Sequence, residues 1–252
     1  MISVTMLTKN SSRFIEKSLA ALSGFDEIIV LDNGSTDDTM EVAARFPNVR
    51  IVEHEFIGFG PLKNMAAEAA KHNWIINVDS DEIMSPELAS ELASMTLDSD
   101  AVYTVPIINH FRGKPIRGCG WGGMRKRRLY NRTRTQFRND MVHEKLEIPD
   151  GARISDDIRH PLLHYMYNSV HQLLQKMQLY SDLFAEQNAG RRNSSVLSAS
   201  FHAWWAFVRD YFLKRGFLDG AEGWLICVTA ANVVFYKHMK LREANENKDW
   251  PK

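Results

Sequence analysis

The sequence predicts an α/β fold: a mostly parallel sheet flanked by helices, followed by a C-terminal helical extension. Over the first hundred residues short apolar runs alternate with helical patterns, and each run ends in polar, turn-forming residues. From Val170 onward the periodicity is helical throughout. The α/β domain is therefore expected over residues 1–165, parallel to about residue 100 and mixed beyond it, with the extension over 166–252.

Strands are expected at Ile2 to Thr8, Glu27 to Asp32, Val49 to Glu53 and Trp74 to Asp79. Between them, Phe14, Ile15, Ser18, Leu19 and Leu22 fall on one helical face, as do Leu62, Met65, Ala66, Ala69 and Ala70. Pro61 and Pro86 suit first helical positions, where no N–H is needed, and Ser85 suits a cap for the second. Ala101 to Ile108 is β-rich, Arg112 to Pro115 reads as a turn, and Arg128 to Tyr130 and Met141 to Ile148 read as short strands. Helices follow near Val170 to Asn188, Phe201 to Arg215 and Trp224 to Lys240.

Composition excludes several classes. The 252 residues are 44% hydrophobic and 25% charged, ordinary for a globular protein, and 31 basic residues balance 31 acidic ones, which argues against a general nucleic-acid binder. Cys119 and Cys227 form no zinc-binding pattern, and the start carries no secretory signal, so a reducing cytoplasmic location is expected.

In an open parallel sheet, ligands bind beyond the carboxyl ends of the strands. The second strand ends in LDNGSTDD, which puts Asp32 at a strand tip before a Gly turn and a Ser/Thr helix cap, placed either to hold a base or ribose or simply to close the turn. The fourth ends in NVDSDE. If the extended geometry persists, Asp79 and Asp81 share a side, and two like charges so close call for a cation between them. Magnesium or manganese bridging to phosphate oxygens meets that need.

Together, Leu7-Thr8-Lys9-Asn10 after the first strand, LDNGSTDDT after the second and NVDSDE after the fourth resemble the family 2 glycosyltransferases of the GT-A fold. The resemblance implies that residues 1–100 form a nucleotide-sugar half and 101–165 an acceptor half. It assigns Thr8, Asn10 and Asp32 to base and ribose, and Asp79, Ser80 and Asp81 to the diphosphate and its Mn2+ or Mg2+. GFGPLKN at Gly58, VHEK at Val142, RGFLDG at Arg215 and FYK at Phe235 are similar to the lipopolysaccharide core β-glucosyltransferase branch, although Gly120 to Met124 lacks that branch's Pro-Asp after the Trp. A UDP-sugar donor, UDP-glucose in that branch, and a lipid-linked saccharide acceptor bearing inner-core heptose are implied. A transferase for capsule or another glycan with a different UDP-sugar is the alternative, and a non-catalytic sugar-nucleotide module a remoter one.

Inverting transfer needs a base for the acceptor hydroxyl. The resemblance points to Glu144, with Asp140 as substitute; the bland reading pairs Glu144 with a surface Arg. Between Arg112 and Arg138 stand ten basic residues and no acidic one, a local field suited to phosphate. Lys126 and Arg128 match the family's basic pair, and Lys63 at a helix start is placed to reach the same phosphates. His164 is the candidate additional metal ligand, or else a core histidine. Phe201, Trp204, Trp205, Val208 and Phe212, with Arg209, Lys214 and Arg215 nearby, suit either an interfacial helix at the inner membrane or core packing. The apolar run Trp224 to Phe235 is short for a membrane crossing.

Overall fold

The computed structural model describes residues 1–141 and 144–246. They form two compact units, residues 1–107 with 124–164 and residues 108–123 with 165 onward.

In the first unit the chain runs β1 (Ile2–Thr8), α1 (Ile15–Ala20), β2 (Ile28–Asp32), α2 (Thr39–Ala43), β3 (Val49–Glu53), α3 (Phe59–Ala69) and β4 (Trp74–Asn77). A short β5 (Glu82–Met84), α4 (Pro86–Ser94), β6 (Ala101–Phe111), β8 (Met124–Asn131), β9 (Arg153–Ser155) and β10 (Leu162–Tyr167) follow, while β7 (Lys114–Pro115) and the last residues of β6 and β10 fall in the second unit. The sheet order is β3-β2-β1-β4-β8-β6-β10-β5, with β7 and β9 added to β6. The expected α/β class is what the structure has. β1, β2, β3 and β4 pair in parallel, whereas β8 joins β4 antiparallel and pairs β6 antiparallel.

Side-chain alternation explains why the central strands are apolar throughout. From β2, Ile28 and Val30 enter one core with Val4, Leu19 and Leu88, while Ile29 and Leu31 enter the opposite core with Leu62, Ala66 and Tyr130. A sheet covered on both faces needs apolar residues at both parities.

Some local expectations change. Ser85 accepts the Leu88 N–H at 3.2 Å and Pro86 opens α4 as expected. Helix α3 begins at Phe59, so Pro61 sits third rather than first; the orphan N–H groups of a first turn make that position equally tolerant. The Ser/Thr cap expected after Asp32 is absent: α2 starts at Thr39, and Asp37 takes that residue's N–H at 3.1 Å and its hydroxyl at 2.5 Å. Those bonds hold the Asp37 carboxyl at about 2. Of the strand expected from Met141 to Ile148, Val142 and His143 lie outside the described residues, and Leu146 makes only an isolated bridge to Phe137.

In the second unit, α5 (Val170–Asn188) has the expected bounds. Helix α6 (Val196–Val208) starts earlier than expected because Ser195 caps it, accepting the Ser198 N–H at 3.2 Å. A π-turn, Arg209–Leu213, and a 3-10 turn, Gly216–Asp219, lead into α7 (Gly220–Glu246). The hairpin segment 108–123 belongs here because Asp219 accepts the N–H groups of Arg117 and Gly118 at 3.0 and 2.7 Å. Lys114 pairs with Glu222 at 2.8 Å, and Phe111, Ile116 and Cys119 join Leu173, Ile226 and Cys227 in one apolar cluster. The expectation of a short apolar run is corrected: Gly216–Glu246 is long and apolar enough, by length and composition, to cross a membrane, with 28% of its apolar window buried.

Candidate active site

The tips of β1, β2 and β4 carry the motif residues. Asn10 adopts a left-handed backbone, φ 51°, from which its carboxamide oxygen accepts the Thr36 N–H at 2.8 Å, joining the β1 tip to the loop after β2. Asp32 is buried and accepts from the N–H groups of Gly34 and Ser35 at 3.1 and 2.9 Å and from the Ser35 hydroxyl at 2.5 Å. It therefore closes its own turn, the plainer of its two sequence readings. Thr8 is buried beside it, and its hydroxyl has no protein partner.

Beyond β4 the chain turns at once. The Glu82 N–H reaches the Asp79 carbonyl at 2.9 Å, so the extended geometry that would align Asp79 with Asp81 is broken. Asp79 faces inward, 2.6 Å from Arg128 and 3.5 Å from Lys63. Asp81 turns outward, its carboxylate 3.4 Å from His164 Nε2. Ser80 shares a 2.8 Å hydrogen bond with the hydroxyl of Ser11, and its carbonyl accepts the Ser18 hydroxyl at 2.9 Å.

A charged core lies beneath this turn. Lys126 and Arg128 stand two residues apart on β8, whose register against β6 shifts at Arg128. Both meet Glu82, Lys126 at 3.7 Å and Arg128 in close contact. Arg128 also donates to Asn77 at 2.9 Å, and Glu82 accepts the Asp79 N–H at 3.0 Å. Glu82 and Asn77 are fully buried. Burial alone would raise the Asp79 carboxyl; Arg128, then Lys63, outweigh it and hold that carboxyl well below the usual range. For Glu82 burial prevails over Arg128, and the neighbouring Asp79 charge adds to it, so its carboxyl is raised. Burial opposes the Arg128 charge, but Asp79 and Glu82 more than compensate and keep it protonated.

Glu144 comes to the same place. Its carboxylate lies 2.6 Å from Lys63 Nζ, so its partner is a buried helix lysine rather than a surface arginine. The segment before it is pinned to α3: Asn64 exchanges hydrogen bonds with Phe137, 2.8 Å each way, and the Gly60 N–H reaches the Asp140 carbonyl at 3.1 Å. A Cβ on Gly60 would stand 1.8 Å from the Arg138 carbonyl oxygen, which fixes glycine there.

Among the described residues no three His, Cys, Asp or Glu side chains gather around one point. Asp81 and His164 nonetheless bring a carboxylate and an imidazole together at 3.4 Å, two donor types that would suit a divalent cation. His164 reaches this position because it pairs with Glu82 across β10 and β5. Both oxygens of Asp79 face protein cations, so the two aspartates do not stand side by side as the extended geometry predicts.

Sequence reasoning missed Glu82 and Asn77, although both flank the recognised acidic pair. The signal was the polar residue that ends an otherwise apolar strand, Asn77 in WIIN, which has to be satisfied once buried.

Against known proteins, the Glycosyl transferase family 2 profile matches residues 3–151. An uncharacterized glycosyltransferase of Rickettsia typhi is 28% identical over 96% of this chain and 87% of its own length. The lipopolysaccharide core biosynthesis glycosyltransferase LpsC of Rhizobium meliloti is 24% identical over 99% of this chain and 95% of its own. Among solved structures, residues 1–349 of S. aureus TarS in complex with UDP-GlcNAc align over 97% of this chain and 89% of that one, at 14% identity and a TM-score of 0.47.

Proposed function

The chain belongs to glycosyl transferase family 2, and from that premise we propose that it moves a hexose, glucose from UDP-glucose, onto the inner-core heptose of lipopolysaccharide with inversion at the anomeric carbon. The observation that carries this reading is the convergence of Lys63, Asp79, Arg128 and Glu144 beside the Asp81–His164 pair, all beyond the strand tips. The lipopolysaccharide part of the proposal is supported by the likeness to LpsC along nearly the whole chain.

In this reading Thr8 and Asn10 border the uracil and ribose, and Asp32 shapes the loop against which they lie. Asp81 and His164 are the residues that would hold a divalent cation, Mn2+ or Mg2+, and such an ion would supply positive charge to the departing UDP. Asp79 and Ser80 set the turn that presents Asp81. Arg128 and Lys126 supply positive field to the diphosphate while remaining tied to Glu82. Lys63 sits between donor and acceptor functions: it binds Glu144 when the diphosphate is absent and has a stronger anion to meet when it is present. Glu144 then takes the proton of the attacking hydroxyl as the C1–O bond to UDP breaks, so one bond forms, one breaks and the proton ends on the carboxylate. The acceptor is lipid-linked, which puts the reaction at the cytoplasmic face of the inner membrane.

The test is to offer purified protein a panel of UDP-sugars together with truncated core lipopolysaccharide and to read the mass of the acceptor. An added hexose mass from UDP-glucose alone is expected. Transfer only from another UDP-sugar, or only to a heptose-free glycan, would overturn the specific assignment.

A further inference from the structure

The aromatic stripe of α6 is not core packing. The small residues Ala199 and Ala206 face inward and are buried, whereas Phe201, Trp204 and Trp205 lie on the outside, Phe201 with 62% of its surface exposed. Leu197, one turn before Phe201, is 84% exposed. Past the end of the helix the pattern continues through Phe212, Leu213, Phe217, Leu218 and Trp224, all exposed. Leaving so many large apolar groups in water is unfavourable, and a run of them on one element marks a surface meant to be covered.

Charge indicates what covers it. The chain as a whole is neutral, with 31 basic and 31 acidic residues, but residues 191–224 contain five basic residues, Arg191, Arg192, Arg209, Lys214 and Arg215, against three acids, Asp210, Asp219 and Glu222, and of these Asp219 is held by the N–H groups of Arg117 and Gly118 and Glu222 by Lys114. Asp210 is buried and already neutralised by Arg209 at 2.9 Å and Lys214 at 3.0 Å. What this stretch shows outward is therefore apolar, aromatic and cationic. A second protein copy would need an acidic counterpart to those arginines, and the same self-facing surface would bring like charges together. A bilayer with anionic headgroups supplies both complements at once: acyl chains for Leu197, Phe201 and Leu218, the headgroup layer for Trp204, Trp205 and Trp224, and phosphates for the arginines.

We propose that residues 191–224 form an interfacial docking surface for anionic phospholipid, lying in the membrane plane. The proposal concerns where the protein sits and stands independently of which sugar it transfers.

The experiment is flotation of the full-length chain with vesicles of phosphatidylcholine alone and with about a third phosphatidylglycerol. Wild type is expected to float with the anionic vesicles and to be released by salt, with a blue shift of tryptophan emission on binding. Phe201→Ser with Trp204→Ser should weaken binding by at least about tenfold, as should Arg191→Gln with Arg192→Gln, given how steeply interfacial affinity follows apolar area and charge. Both pairs are exposed, and an unchanged melting temperature and UDP affinity would show that the variants remain folded. Any of the following would overturn the proposal: no flotation of wild type, equal flotation on neutral vesicles, indifference to either variant pair, or a lipid-free dimer by light scattering that the aromatic variants dissociate. Wild type that resists alkaline extraction would also overturn it, in favour of an inserted span.

Discussion

The ammonium group of Lys63 lies 2.6 Å from the carboxylate of Glu144 and 3.5 Å from that of Asp79. One buried cation is thus shared by the turn that follows β4 and by a carboxylate more than sixty positions further along the chain. Replacing it by Met should lower the affinity for UDP-sugar about 10- to 100-fold, the range for losing one charge-assisted contact. Calorimetric titration with UDP checks this, and an unchanged affinity would remove Lys63 from the diphosphate site.

Glu144→Gln keeps the shape of the side chain and removes its basicity. Donor binding should persist while transfer falls by about 10²- to 10⁴-fold, the usual contribution of a general base. Transfer at the wild-type rate in a mass-resolved acceptor assay would move the base role to another carboxylate.

Asp81→Ala should abolish Mn2+-dependent UDP release. His164→Ala should instead raise the metal concentration needed for half-maximal release by about tenfold or more, since a carboxylate ligand remains. If Asp79→Asn rather than Asp81→Ala shifted the metal requirement, the division of labour between the two aspartates would be reversed.

Arg128 holds Glu82, Asp79 and Asn77 from a buried position. Arg128→Met leaves the fully buried Glu82 without its closest cation, and breaking a buried pair from one side costs roughly 3–5 kcal/mol. A denaturant titration should show a loss of that order. The double variant Arg128→Met, Glu82→Gln should recover part of it, because the stranded charge is gone.

Glu91 accepts the N–H groups of Arg159 and His160 at 3.0 to 3.1 Å. Burial would raise its carboxyl, but those bonds more than offset this and hold it below its ordinary value. A depressed carboxyl contributes stability that is present above the unfolded value and lost as pH falls through the folded one. Wild type should therefore lose more stability than Glu91→Gln between about pH 5 and about pH 3. Parallel melting curves across that window would contradict the assignment.

The parallel strands, the helix of Leu62 to Ala70 and the strand-tip motifs were legible in the sequence because each follows from local periodicity or turn chemistry. Others were decided by distant partners. That residues 108–123 pack with the helices depends on Asp219, about a hundred positions away. The divergence of Asp79 and Asp81 depends on a turn that ends an apparently continuous strand, and the burial of Glu82 depends on Arg128, supplied by a different strand. The aromatic stripe around Trp204 was visible, but only the inward position of Ala199 and Ala206 distinguishes a surface from a core.

Gly60 has a wider effect than its size suggests. With no side chain there, the backbone at Arg138 rests directly on the first turn of α3, and Lys63 follows three residues on in the same helix. Two stretches of chain more than seventy residues apart are thereby stacked without a cushion, so a displacement of either is passed to the other as a rigid push. In the proposed reaction, the lysine that meets the diphosphate and the carboxylate paired with it would then be positioned by the same contact.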